Sequence, residues 1–490
     1  MLSAPDAPRS KGLALALLAM TQFVVVLDAS IVNVALPSIG TALDVAQEDL
    51  SWVVNAYALV FGGFLLLGGR LADLLGARRV FGWGMVLFGL ASLAGGLATS
   101  PGQLIAARAV QGLGAAIISP AALSMVTTTF AEGAERNRAL GVWGAVAGSG
   151  GAAGVLLGGV LTDGLGWEWV LFVNVPIAAL IVVAAPRLLA ESPRRAGGGS
   201  HDVAGAATVT AGLAILVYAL VDATDAGWGS TQTLGLLGVA AALLAAFVVV
   251  ERRTADPLVP FSIFRLRTLR AANLNAVLIG AGLFSMFFFI TLYLQQVLGY
   301  DALEAGLAYL PLALTIIVCA GIASQLVTRI GFKATLISGC LLVAAGLFWF
   351  AQVSAPGGSY VGDVLFPSMI AGAGLGFSFV PVTIAAMTGT RPDEAGLASG
   401  LINTSQQVGG ALGLAVLATI STSSTEGAFE SGVRDRAVAL TEGFADAFLV
   451  GAGFAVLAAV LAAVMISSQD AREHARAARE GETAPAPVAV

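Results

Sequence analysis

Of the 490 residues, 57% are hydrophobic and only 11% are charged, with a net charge of −6; a typical soluble domain carries about 25% charge. The chain lacks the charge to cover a water-soluble surface of this size, and the same numbers exclude disorder, a collagen-like repeat and a disulfide scaffold. Cys319 and Cys340 lie in apolar runs and His201 and His474 in polar segments, so neither a metal nor a cofactor is expected.

A window of about 19 residues picks out fourteen apolar helices. The first six cover 12–36, 51–70, 80–98, 103–126, 139–161 and 168–189. After a polar start over 1–11, they form one six-helix half over 12–189. Segment 190–270 follows, with a flexible AGGGS linker and an inserted helix pair at 204–222 and 233–250. Spans at 272–296, 305–328, 334–352, 363–387, 396–420 and 444–468 form a second half over 271–468. The tail 469–490 reads as a short charged helix followed by a disordered Pro/Ala stretch. The expected fold is therefore all-α and polytopic, with two six-helix halves and an inserted pair.

Basic residues test this count independently. With the N-terminus inside, 21 of the 24 Lys and Arg fall in inner segments. Only Arg434 and Arg436 lie outside, and Arg108 lies within a span. The positive-inside rule then puts both termini in the cytoplasm. Trp52, Trp167 and Trp169 fall at outer ends, where an aromatic belt would sit.

The halves repeat each other. Leu71, Gly76 and Gly84 match Leu326, Gly331 and Gly339 at an offset of 255. Gly112 and Gly114 match Gly372 and Gly374 at 260, and Gly141, Gly150, Gly151 and Gly154 match Gly400, Gly409, Gly410 and Gly413 at 259. Two parallel six-helix repeats place a site between them near the midplane.

Two ionisable residues lie well inside spans, Asp28 and Arg108. Each costs about 2.5–3.5 kcal/mol at a helix centre, so such residues face a bundle interior or a water path. At about 1.5 Å per residue their depths allow pairing or a water bridge. Polar and aromatic side chains recur at helical spacing: Asn33 on the first span, Asn55 and Tyr57 on the second, and Gln111 one turn after Arg108. The ninth span carries Phe284, Phe288, Thr291 and Gln295, with Tyr293 near its end, and the thirteenth carries Asn403 and Gln407. Unsatisfied amides are costly in lipid, so these residues are expected to line a cavity suited to bulky amphipathic molecules. Gly150, Gly154 and Gly158 form a small-residue ladder, which reads either as a moving interface with the other half or as static close packing.

GGRLADLLGARR (68–79) and LIAARAVQGLGAA (104–116) resemble motifs of the major facilitator superfamily. LDASIVNVALPSI (27–39), GAVAGSGGAAGVLLGG (144–159) and WEWVLFVNVPI (167–177) resemble its fourteen-span drug:proton antiporters of the EmrB/QacA type. In two places the chain departs from that pattern. Val155 follows Gly154 where antiporters usually have Pro, and Leu74 follows Asp73 where a basic residue is usual.

The resemblance implies proton coupling at Asp28, modulated by Arg108. It also implies a conformational latch built from Gly69, Asp73, Gly76, Arg78 and Arg79, with Asp73 near a helix N-terminus. Thr328 at the repeat position leaves a single such latch. No Walker A, HExxH or GxSxG motif occurs, so energy is expected from a gradient rather than from enzymatic chemistry.

The expected function is export of small amphipathic compounds by proton antiport, as in drug or antibiotic efflux. Alternatives are a dedicated exporter of one metabolite or antibiotic, or a lipid-handling flippase of the same fold. The expected surroundings are the cell membrane's lipid bilayer, protons and a small-molecule substrate, with no nucleic acid and with the monomer as the working unit. Asp28→Asn is expected to stop transport driven by the proton gradient and leave folding and insertion largely intact.

Overall fold

The computed structural model describes residues 10–44, 50–191, 202–254, 257–355, 357–391 and 394–480. The AGGGS linker, Arg9, Arg194, Arg195, His201 and the last ten residues lie outside them. Among the described residues there are helices and turns but no strands.

The first half is built from α1 (Lys11–Leu43), α2 (Ser51–Leu75), α3 (Ala77–Gly96), α4 (Pro101–Thr129), α5 (Ala134–Leu165), α6 (Trp169–Phe172) and α7 (Asn174–Leu188). The inserted pair is α8 (Val203–Ala226) and α9 (Thr231–Arg253). The second half holds α10 (Arg267–Leu292), α11 (Ala302–Ala308), α12 (Leu310–Ile330), α13 (Phe332–Phe350), α14 (Phe366–Met387), α15 (Ala395–Glu430) and α16 (Arg436–Met465). Helix α17 (Ser468–Glu480) follows. Fourteen segments are long and apolar enough to cross a membrane, α6 with α7 and α11 with α12 each counting as one.

Observed helices run past the expected spans, as in Ala395–Glu430 against 396–420. Hydropathy registers only the apolar stretch, whereas helical hydrogen bonding continues into the polar flanks.

Glycine sets the packing, and does so identically in both halves. A Cβ on Gly84 or Gly114 would strike across the α3–α4 contact, and one on Gly339 or Gly374 across α13–α14. Gly112 presses on Tyr57 O of α2, and Gly372 on Leu312 O of α12. Gly154 and Gly158 seat on Leu27 O and Ile31 O of α1, while Gly409 and Gly413 seat on Val277 O and Ala281 of α10. Small residues let these backbones approach without a side chain between them. Gly76 and Gly331 occupy equivalent corners with φ of 96° and 90°, a region where any Cβ is strained.

The ladder Gly150–Gly154–Gly158 therefore packs on α1 of its own half and not on the other half; of the two readings, close packing is the one these contacts fit. The glycines of α5 that press most closely on the other half are Gly141, Gly144 and Gly148, against Ser324, Val380 and Ile316. The two ladders lie on different faces of α5, and spacing alone could not say which face met which neighbour. Gly154→Leu should overpack the α1–α5 contact by about 3 kcal/mol and abolish monodisperse protein on size exclusion. Gly151→Leu, whose nearest neighbour is Phe287 at 3.9 Å, should leave the profile unchanged.

Helix α8 lies against both halves. Gly63 of α2 meets Ala214 of α8, and Trp228, just beyond the end of α8, donates to Thr419 Oγ1 of α15 at 2.6 Å. Trp52 stacks on Tyr218 and, like Trp169, is exposed. Trp167 departs from the expected belt: it is buried with Leu27, Ile31 and Val53, because the turn after α5 folds it inward.

Candidate functional site

Asp28 of α1 is fully buried, with 0% exposure, among polar groups from four other helices. Arg108 Nη1 of α4 donates to Asp28 Oδ2 at 2.7 Å. Gln111 Nε2 and Asn174 Nδ2 both donate to Asp28 Oδ1 at 2.7 Å. The same two amides reach Ser92 Oγ of α3, at 2.5 and 3.1 Å. Arg108 Nε donates to Val53 O at 3.1 Å, and its guanidinium lies 4.3 Å from the Tyr57 ring centroid. The Tyr57 hydroxyl donates to Val25 O at 3.3 Å. Of the two arrangements that their depths allowed, pairing or a water bridge, the contact is a direct ion pair.

In this dry setting the carboxylate has three donors and the guanidinium has a π face, so both charges are compensated. Arg108 Nη2 and Asn174 Oδ1 have no hydrogen-bond partner. The cluster is therefore short of one bond on either side of the ion pair. A change of charge at Asp28 would have to rearrange α1, α4 and α7 together. Ser92 and Asn174 escaped the sequence reading. Asn174 stands within WEWVLFVNVPI, but a lone Ser or Asn in an apolar span gives no sign of its partner.

A second constellation joins the halves. Asp73 lies in the last turn of α2, and its carboxylate accepts from Gly396 N and Leu397 N, both at 2.9 Å, at the start of α15. The helix N-terminus expected near Asp73 is thus that of α15 in the other half. A carboxylate there meets free N–H groups and the positive end of the helix dipole. Gly69 packs on Gly396, leaving no room for a side chain on either. Arg78 turns elsewhere: it donates to Leu189 O at 3.0 Å and pairs with Glu191 at 3.2 Å, beside Gly76. Arg79 is exposed.

The repeat position keeps a neutral version of the Asp73 contact. Asn137 Nδ2, at the start of α5, donates to Thr328 Oγ1 of α12 at 3.1 Å. Thr328 therefore does not simply lack a latch; an uncharged hydrogen bond replaces it.

Between the halves lies a narrow cavity of about 40 Å³, walled by α1, α4, α5, α10, α14 and α15. That is room for about three waters. Gln22, Trp143, Phe379, Thr383, Asn403 and Gln406 provide its polar and aromatic surface, and none of its lining residues is charged. Of the expected cavity set, Asn403 is in this lining. Tyr57 and Gln111 belong instead to the Asp28 cluster. Tyr293 is buried away from the cavity, its hydroxyl donating to Ser354 O at 2.9 Å. Thr291 shares a hydrogen bond with Tyr309 at 2.8 Å, and Asn33 bonds to its own helix.

Gln295 is exposed in the π-turn that ends α10, and Asn55 is half-buried on α2. Gln407 faces Gly62 of α2. Phe284 and Phe288 are both 40% exposed, with the Phe284 ring against Gly410. Helical periodicity puts a residue on a face, but the neighbouring helix decides whether that face opens on a cavity.

Two repeated six-helix halves, a sealed ion pair and a cavity at the seam define a secondary membrane transporter. Residues 18–414 match the model of the Major Facilitator Superfamily, and the chain belongs to that superfamily. It is 43% identical over 455 residues to the cephamycin export protein CmcT of Amycolatopsis lactamdurans, covering 92% of each chain. It is 41% identical to the puromycin resistance protein pur8 of Streptomyces alboniger, covering 95% of this chain and 93% of the relative. The fold is shared, at 14% identity and a TM-score of 0.64, with a proton:xylose symporter, covering 91% of this chain and 94% of that one.

Proposed function

We propose that the protein exports small amphipathic molecules of the antibiotic type in exchange for protons. The ion pair of Asp28 and Arg108, buried in a half that must move against its partner, carries this reading. A proton drives transport only if its affinity differs between access states. Rocking the halves 12–189 and 271–468 about the cavity would re-sort the donors around Asp28 and change that affinity. The Asp73 contact with α15 closes one end of the seam in this state. The Lys and Arg distribution supports a cytoplasmic side of the cell membrane for that end and for both termini. The protein then works as a monomer, in the outward-directed phase of its cycle. Similarity to export and resistance proteins supports the direction of transport.

The test is uptake of an antibiotic into inverted vesicles carrying the purified protein. An imposed proton gradient should drive it and a protonophore should abolish it. Uptake that ignores the gradient would sink the proposal.

The uncharged cavity favours neutral, zwitterionic or monovalent substrates over dications. Gln22 Oε1 is buried without a hydrogen-bond partner, and Trp143 is buried beside the same cavity. Trp143→Ala should raise KM for an aromatic antibiotic about tenfold, the loss of roughly 1.4 kcal/mol of stacking and apolar contact, with little change in kcat. An unchanged KM would remove Trp143 from the substrate path.

A further inference from the structure

The inserted pair carries buried chemistry that the Asp28 cluster does not use. Asp202 caps α8, its Oδ1 accepting from Gly205 N at 2.7 Å. Glu251, in the last turn of α9, is only 3% exposed, and its Oε2 accepts from Val259 N at 3.0 Å. The remaining oxygens, Asp202 Oδ2 and Glu251 Oε1, are buried and have no hydrogen-bond donor among the described residues. Both crowd the place where a Cβ of Gly205 would stand, so the two oxygens converge on one point at the hairpin base. Two acceptor oxygens cannot bond to each other, but one hydrogen between them makes a strong O–H···O⁻ bond.

We propose that Asp202 and Glu251 hold one proton between them, making the base of the inserted hairpin a second proton-binding site, remote from Asp28.

Among the described residues, no hydrogen bond from a basic side chain reaches these two oxygens. Arg252 and Arg253 follow on α9 and are exposed. Arg70 of α2 donates through Nη2 to Pro257 O at 2.9 Å. In the strap from α9 toward α10, residues 257–259 offer no titratable side chain, while Asp256, and His201 before α8, lie outside the described residues. The strap does give the site a mechanical connection. Glu251 holds Val259, Pro257 holds Arg70, and Arg70 stands one helical turn before Asp73. Loss of the proton would set two like charges against each other at the hairpin base and load this chain of bonds toward the latch.

The site stands independently of antiport, so its test reads protonation rather than transport. The full-length protein in lipid vesicles at neutral pH is studied by infrared difference spectroscopy in H₂O and D₂O. A protonated carboxyl C=O band, sensitive to D₂O, is expected in the wild-type protein and in the double variant Asp28→Asn/Arg108→Gln. It should fall by one carboxyl per molecule in Glu251→Gln and equally in Asp202→Asn, because either amide can donate to the remaining carboxylate. Asp202 is only half-buried, so Asp202→Asn reads the same proton if Glu251→Gln fails to fold. A band that survives a hairpin substitution overturns the proposal. So does a wild-type protein with no such band, including one in which sodium instead raises the thermal stability and both substitutions remove that effect.

Discussion

Asp28→Asn is expected to abolish gradient-driven export in reconstituted vesicles, with uptake falling to the level of protein-free controls. It is also expected to destabilise the protein, which revises the expectation from sequence that folding would be left intact. Arg108 is fully buried, and the substitution removes its only carboxylate partner among the described ion pairs. An uncompensated buried charge costs about 3–5 kcal/mol.

The double variant Asp28→Asn/Arg108→Gln removes both charges and should recover most of that stability in thermal unfolding, while transport stays absent. Arg108→Ala should impair coupling, and Arg108→Lys, which keeps the charge but loses the planar fork that donates to Asp28, Gln111 and Val53 at once, should rescue it only partly. If the double variant still couples uptake to the gradient, Asp28 is not the coupling group. If it unfolds as readily as Asp28→Asn alone, the pair is not what stabilises the five-helix junction.

Gly69→Leu is expected to prise α2 from α15. The new side chain would meet the Gly396 carbonyl, a backbone atom that cannot rotate away. Overpacking of this kind costs about 1–3 kcal/mol, enough to shift a two-state equilibrium by about 5- to 150-fold against the closed seam. Asp73→Asn should act in the same direction and more weakly, since an amide keeps one acceptor but loses the charge that matches the helix dipole. Amide exchange at Gly396 and Leu397, whose N–H groups the Asp73 carboxylate accepts, should accelerate in both variants. Exchange at Asn137, in the neutral counterpart, should change less. Unaltered protection at Gly396 in Gly69→Leu would mean that the seam does not close through this contact.

Much of the architecture was legible in the chain itself. A membrane span must bury about 20 apolar residues and satisfy its own backbone, so length and hydropathy located all fourteen helices. The repeat was visible because close helix contacts demand glycine, and the glycines of α3, α4 and α5 recur in α13, α14 and α15. Asp28 and Arg108 stood out because an ionised group in an apolar span is too costly to be incidental.

Tertiary structure alone decided the partners. Periodicity assigns a side chain to a face of its own helix, but the neighbour on that face comes from elsewhere in the chain. Asn174 reaches Asp28 from 146 residues away, and Asp73 caps a helix 323 residues on. For the same reason Gly150, Gly154 and Gly158 turned out to face α1, and Tyr57, Gln111 and Tyr293 lay off the cavity. Hydropathy prices each residue against lipid; only the assembled helices show which polar groups are paid in hydrogen bonds and which, like Asp202 and Glu251, are left facing each other.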